Sequence, residues 1–93
     1  MKWTEIRAHF PGQWLLVEAT AAHSEHNRRI LDDIAVVSTF SNGKSAMDGY
    51  IELHEKAPQR ELYVLSTDRE ELDIEELRWL GIRKALEVRT SSN

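Results

Sequence analysis

The chain has 93 residues, of which 41% are hydrophobic and 30% charged, with a formal net charge of −4 and no cysteine. That length makes one small domain, residues 1–93, with a modest core; the charge argues against a dedicated nucleic-acid binder, which draws its affinity from clustered Lys and Arg; and the missing cysteine excludes a disulfide framework and thiolate metal sites. No apolar run reaches membrane length, and the start MKWTEIRAHF places Glu5 and His9 where a secretory signal needs its hydrophobic region, so a cytoplasmic protein with no membrane partner is expected.

In chain order, Trp3 to Phe10 predicts a short helix with Ile6 and Phe10 on the face of Trp3, ended by Pro11-Gly12. Gln13 to Ala22 follows as a strand, apolar on both faces through Trp14-Leu15-Leu16-Val17. His23 to Asn27 is polar and reads as a connection. Arg28 to Phe40 is a longer strand, with Ile30, Ile34, Val36 and Phe40 on one parity and Leu31, Ala35 and Val37 on the other; the short connection favours an antiparallel hairpin.

Asn42 or Ser41 then caps a helix whose buried face is Ala46, Tyr50, Leu53 and Ala57, and Pro58 stops it. Gly49 costs this helix roughly 1 kcal/mol relative to Ala, which implies that something packs close to it. Arg60 to Thr67 is a third strand, and Leu62-Tyr63-Val64-Leu65 predicts an interior place in the sheet. Strand, helix and strand then form a parallel crossover that requires mixed pairing beside the hairpin. Leu72 to Glu75 alternates as an edge strand, while Thr67 and Glu70 fit a capping box and Ile74, Leu77, Gly81, Ala85 and Val88 also line one helical face, with Trp79 outside it. Thr90 to Asn93 reads as a frayed tail. The expected fold is α+β: a mixed or antiparallel sheet of three to four strands with a central helix, Gly43 to Ala57, packed on it.

The chemistry-bearing patterns are sparse. Gly43-Lys44-Ser45 sits between strand and helix, as a phosphate-binding loop does, but Ser38 occupies the first glycine position and Phe40 falls inside the loop. A nucleotide cradle is therefore rejected, leaving a weak anion contact at Asn42, Gly43, Lys44 and Ser45 as a candidate site. His23 and His26 lie close enough to share a metal if their loop curls, yet two ligands do not make a centre, and Pro58 occupies the place of the second histidine that a zincin helix starting at His54-Glu55 needs. Asp32 and Asp33 point to opposite faces of a strand, so they cannot form one acid/base pair, and one of them is expected to face solvent or meet Arg28 or Arg29. No catalytic residue, metal or cofactor is assigned. The acidic run Asp68 to Leu77 is an ordinary solvated face.

Three tryptophans are more telling, since each carries large apolar area and an N–H that needs a partner. Trp79, Trp3 and Trp14 are candidate interface residues, and a two-fold homodimer is expected in which Arg28 to Phe40 or Leu72 to Glu75 continues the sheet across the interface.

Pro11-Gly12-Gln13-Trp14, Val17-Glu18-Ala19, Val36-Val37, Tyr50 with Leu53, Leu62-Tyr63-Val64 and Trp79-Leu80-Gly81-Ile82-Arg83 together resemble a family of short uncharacterised bacterial proteins of about this length. The resemblance covers most of the chain and rests on structural residues. It implies a gene neighbour encoding a retropepsin-like protease, in an arrangement similar to toxin and antitoxin pairs, and hence an interaction role; the chain lacks the Asp-Thr/Ser-Gly signature of the protease itself. Two functions are weighed. The first is a small interaction or regulatory module, an antitoxin-like partner. The second is a small enzyme or anion-binding domain using Asn42 to Ser45 or the His23 and His26 loop.

Overall fold

The structure, a computed structural model, describes residues 1–74. The alternative C-terminal helix, the Trp79 contact and the tail from Thr90 lie outside the described residues. The order of elements is α1 (Trp3–His9), β1 (Trp14–Glu25), β2 (Arg28–Phe40), α2 (Gly43–Lys56) and β3 (Leu62–Ser66).

Helix α1 starts where the Glu5 carboxylate accepts from the Lys2 backbone N–H at 2.8 Å, satisfying one otherwise orphan donor. Its Ile6 is completely buried, and Trp3 and Phe10 pack around the same cluster, as their spacing predicts. Gly12 takes φ +65°, a left-handed conformation that turns the chain into β1.

Strands β1 and β2 form an antiparallel hairpin, and β1 runs three residues further than its composition suggests. The turn is confined to His26 and Asn27, with φ of 50° and 61°. Positive φ at both central residues is what a two-residue type I′ turn needs, and Asn tolerates it well. His23 therefore lies in a strand and not in a connection.

The sheet order is β2-β1-β3, antiparallel throughout. This corrects two expectations. β1 holds the central place, and the crossover from β2 through α2 passes over β1, so β2 and β3 run parallel without touching and no mixed pairing is required. β3 is apolar on both sides because both of its faces are covered. Leu62 and Val64 join Leu16, Ala46 and Tyr50 beneath α2; Tyr63 and Leu65 join Ile6, Leu15, Val17, Ile34 and Ile74 on the opposite face.

Bulges in the hairpin break the simple parity of β2. Leu16 pairs with Ser38 and Val17 with Val36, which leaves Val37 as the extra residue. Beyond it the strand's faces exchange: Ile34 and Val36 pack with the α1 side, whereas Val37 and Phe40 pack with α2. Ile30 is exposed, and Leu31 takes the inward position.

Two ion pairs fasten the sheet. The Arg29 guanidinium donates to both carboxylate oxygens of Glu61 at 2.8 Å, with each side chain only 18% exposed, and the Tyr63 hydroxyl donates to Glu61 at 2.6 Å. Arg60 donates to Glu18 at 2.6 and 3.0 Å. Thr67, buried rather than capping a helix, accepts from the Gln13 N–H and donates to the Gln13 carbonyl.

Candidate interaction surface

The outer edge of β2 is closed along its first half. The Arg29 N–H donates to the Ile74 carbonyl at 2.9 Å, Lys2 Nζ reaches the Asp32 carbonyl, and Ile34 exchanges two hydrogen bonds with the backbone of Met1 at 2.8 and 2.9 Å. Past Ile34 the outer edge, Ala35 to Phe40, meets no other backbone among the described residues. Strand alternation settles which groups are offered there. Ile34 faces outward, and Val36, two residues on with regular pairing, does so too; after the bulge, Ser38 and Phe40 face β1 opposite Leu16 and Trp14, so Thr39 faces outward.

This stretch, Ala35-Val36-Val37-Ser38-Thr39-Phe40, holds no charge, proline or glycine. Natural edge strands are ordinarily blunted by charge, proline or a bulge, or covered, because unpaired N–H and C=O groups on a β-prone segment invite pairing; of these devices the stretch carries the bulge at Val37. On the α2 side the edge borders a groove of about 390 Å³, lined by Leu16, Val37, Phe40, Gly49 and Leu53 with Glu52 and Lys56 at its rim. The groove exists because α2 lies mainly over β1 and β3 and leaves the β2 half of that face open. Its floor is set by Gly49, where an added Cβ would stand 2.7 Å from the Phe40 ring; the close approach inferred from the glycine is the contact of Phe40 with α2.

The residues proposed for anion contact are together at the start of α2, each in a local task. The Asn42 carboxamide oxygen accepts from the Ser45 N–H at 2.8 Å, as an N-cap does. Gly43 lies under the Trp14 indole, 3.3 Å from an added Cβ, and Lys44 pairs with Asp48 one turn on at 3.2 Å.

His23 and His26 are not brought to one centre. His23 Nδ1 is 2.7 Å from Asp32 Oδ2 across the hairpin, and that hydrogen bond raises the imidazole pKa above 6.5, helped by the charges of Asp32 and Glu25. Glu25 lies 3.6 Å from His23 and 3.7 Å from His26. Among the described residues no group of three or more His, Asp or Glu side chains is placed to hold a metal ion. Asp33 accepts from the Met1 nitrogen and from Thr20 and is exposed, the first of the two alternatives expected for the aspartate pair, while Arg28 pairs with Asp73. On α2, the His54 imidazole stacks on Tyr50 at 5.5 Å.

Of the tryptophans, Trp3 donates its indole N–H to the Arg69 carbonyl at 3.0 Å and Trp14 packs on the α2 cluster; both are half-buried. The Arg28 to Phe40 strand is expected from the sequence to offer an edge; the narrowing of that edge to Ala35 to Phe40 and the groove beside it are not, because both depend on residues brought in from elsewhere in the chain. No helix among the described residues is long and apolar enough to cross a membrane. The chain matches no protein-family model, no curated protein and no solved structure.

Proposed function

We propose that this protein is a small protein–protein interaction module that binds by adding a strand to the outer edge of β2. The observation that carries the reading is the uncharged edge Ala35 to Phe40, open among the described residues and running beside the apolar groove of Val37, Phe40 and Leu53. Strand addition uses both parts: backbone groups at the edge supply affinity, and a pocket for alternate side chains supplies selectivity. The antiparallel hairpin makes the edge rigid before binding, which lowers the ordering cost. A regulatory, antitoxin-like role is the specific form of this reading that the family resemblance implies.

A photo-crosslinking residue at position 39, compared with the same residue at position 51, tests it. Thr39 faces the open edge, whereas Ile51 is 50% exposed and is not part of the groove lining. A covalent adduct in host cells from position 39 and none from position 51 is expected. Equal adducts, or none, would remove the support.

A further inference from the structure

We propose that the strand added to β2 belongs to a second copy of this chain, so that two sheets join about a two-fold axis between Val37 and Ser38 into one six-stranded sheet; this rests on the strand-addition reading above. Three observations lead to a copy rather than another protein.

The first is the length of edge on offer. Met1, Lys2 and Ile74 occupy the edge as far as Ile34, so an incoming strand is confined to the six residues Ala35 to Phe40. A copy brings a strand with the same restriction. In the antiparallel self-pairing that a two-fold axis requires, Val36 meets the partner's Thr39 and Thr39 meets the partner's Val36. The outward groups of one edge therefore face the outward groups of the other, and the blocked halves point away from each other.

The second is charge. Gly49 lies level with Phe40. The axis is two and a half residues back along β2, roughly 8 Å at the strand rise, and α2 covers that distance in five to six residues. The axis therefore passes α2 between Glu52 and Lys56. Two-fold symmetry then sets Glu52 opposite the partner's Lys56, and Lys56 opposite the partner's Glu52. Both side chains are more than two-thirds exposed and both stand at the groove rim, where among the described residues the i,i+4 contact of 3.4 Å within one helix engages them.

The third is shape. The groove is apolar along Val37, Phe40 and Leu53. The same three residues arriving from the opposite side place like apolar surface on like. The pairing is closed at this edge: once two copies have met, neither offers the same edge to a third.

Sedimentation equilibrium of the full chain from 1 to 100 μM, read beside thermal melting, tests the proposal. Wild type should pass from monomer to dimer, and Thr39→Pro, which removes an outward N–H not used in the β1 ladder, should raise the dimer dissociation constant by about tenfold or more. A charge exchange provides a second arm that leaves the strand backbone untouched: Glu52→Lys and Lys56→Glu should each dimerise poorly alone and associate with one another when mixed. A monomer at every concentration, a dimer indifferent to Thr39→Pro, or no preference in the mixture would overturn the copy as partner. Should the protein be monomeric while position 39 still crosslinks a different protein in host cells, the dimer fails and the strand-addition reading stands; absence of both sinks the two together.

Discussion

The Phe40 ring ends on Gly49, its Cζ 2.7 Å from where a β-carbon would stand, so the last residue of β2 and the middle of α2 are in contact through a position that only glycine fills without displacement. This contact holds the end of the open edge against the helix and shapes the groove between them.

Gly49→Ala should therefore cost stability despite alanine's better helix propensity. The propensity gain is about 1 kcal/mol, against about 1 to 3 kcal/mol for an overpacked contact. Shortening the partner relieves the clash, so Gly49→Ala combined with Phe40→Leu should be more stable than the two single losses added together. Urea unfolding of the four proteins in the cycle measures this coupling, and strict additivity would contradict the contact.

Arg29 and Glu61 form the best-buried ion pair among the described residues, 32 positions apart in sequence. Glu61→Gln takes away the charge that holds the bidentate bond and weakens the Tyr63 contact, and should cost about 2 kcal/mol. Tyr63→Phe should cost about 1 kcal/mol, as a single hydroxyl contact does. Denaturant midpoints read both; a neutral Glu61→Gln would show that the clasp contributes nothing.

His23 supplies a pH dependence whose sign follows from its raised pKa. A group that binds its proton more tightly when folded stabilises the fold while protonated; the contribution is complete below 6.5 and is lost as pH rises through the folded value. An NMR titration should place the His23 midpoint above 6.5, and Asp32→Asn should bring it down. A midpoint unmoved by Asp32→Asn would mean that the 2.7 Å contact is not made in solution.

Trp14 packs over Gly43 and against the α2 cluster, so Trp14→Ala should lower monomer stability by about 2 kcal/mol or more. Thr39→Pro should instead leave the melting temperature of the dilute monomer nearly unchanged. If the two variants exchange these behaviours, the interface lies at the aromatic residue and not at the edge.

Local signals carried much of the fold. Asn42 reads as a cap from its side chain, Ala46 and Tyr50 as a buried face from their spacing, and Gly49 as a close approach from its cost. What stayed hidden depends on non-local pairing. The extra residue at Val37 reassigns Phe40 to the other face of the sheet, and nothing in a period-two pattern marks a bulge. The apolar run of β3 reports two covered faces, which is a different property from two paired edges, and so it suggested an interior strand. Arg29 and Glu61 look like surface charges until β1 pairs with both β2 and β3 and the two side chains meet across it. The open edge was legible as a strand, but its blocked half was not, because Met1 and Ile74 reach it from elsewhere in the chain.

The central claim, that the edge from Ala35 to Phe40 is a binding surface filled by a second copy, is tested most directly by amide hydrogen exchange at single-residue resolution as a function of protein concentration. Ala35 and Ser38, whose N–H groups face β1, should exchange slowly at all concentrations. Val36 and Thr39 should exchange fast in dilute solution and slow markedly as the dimer fills. Fast exchange of Val36 and Thr39 at every concentration, or equally slow exchange at every concentration, would contradict the account.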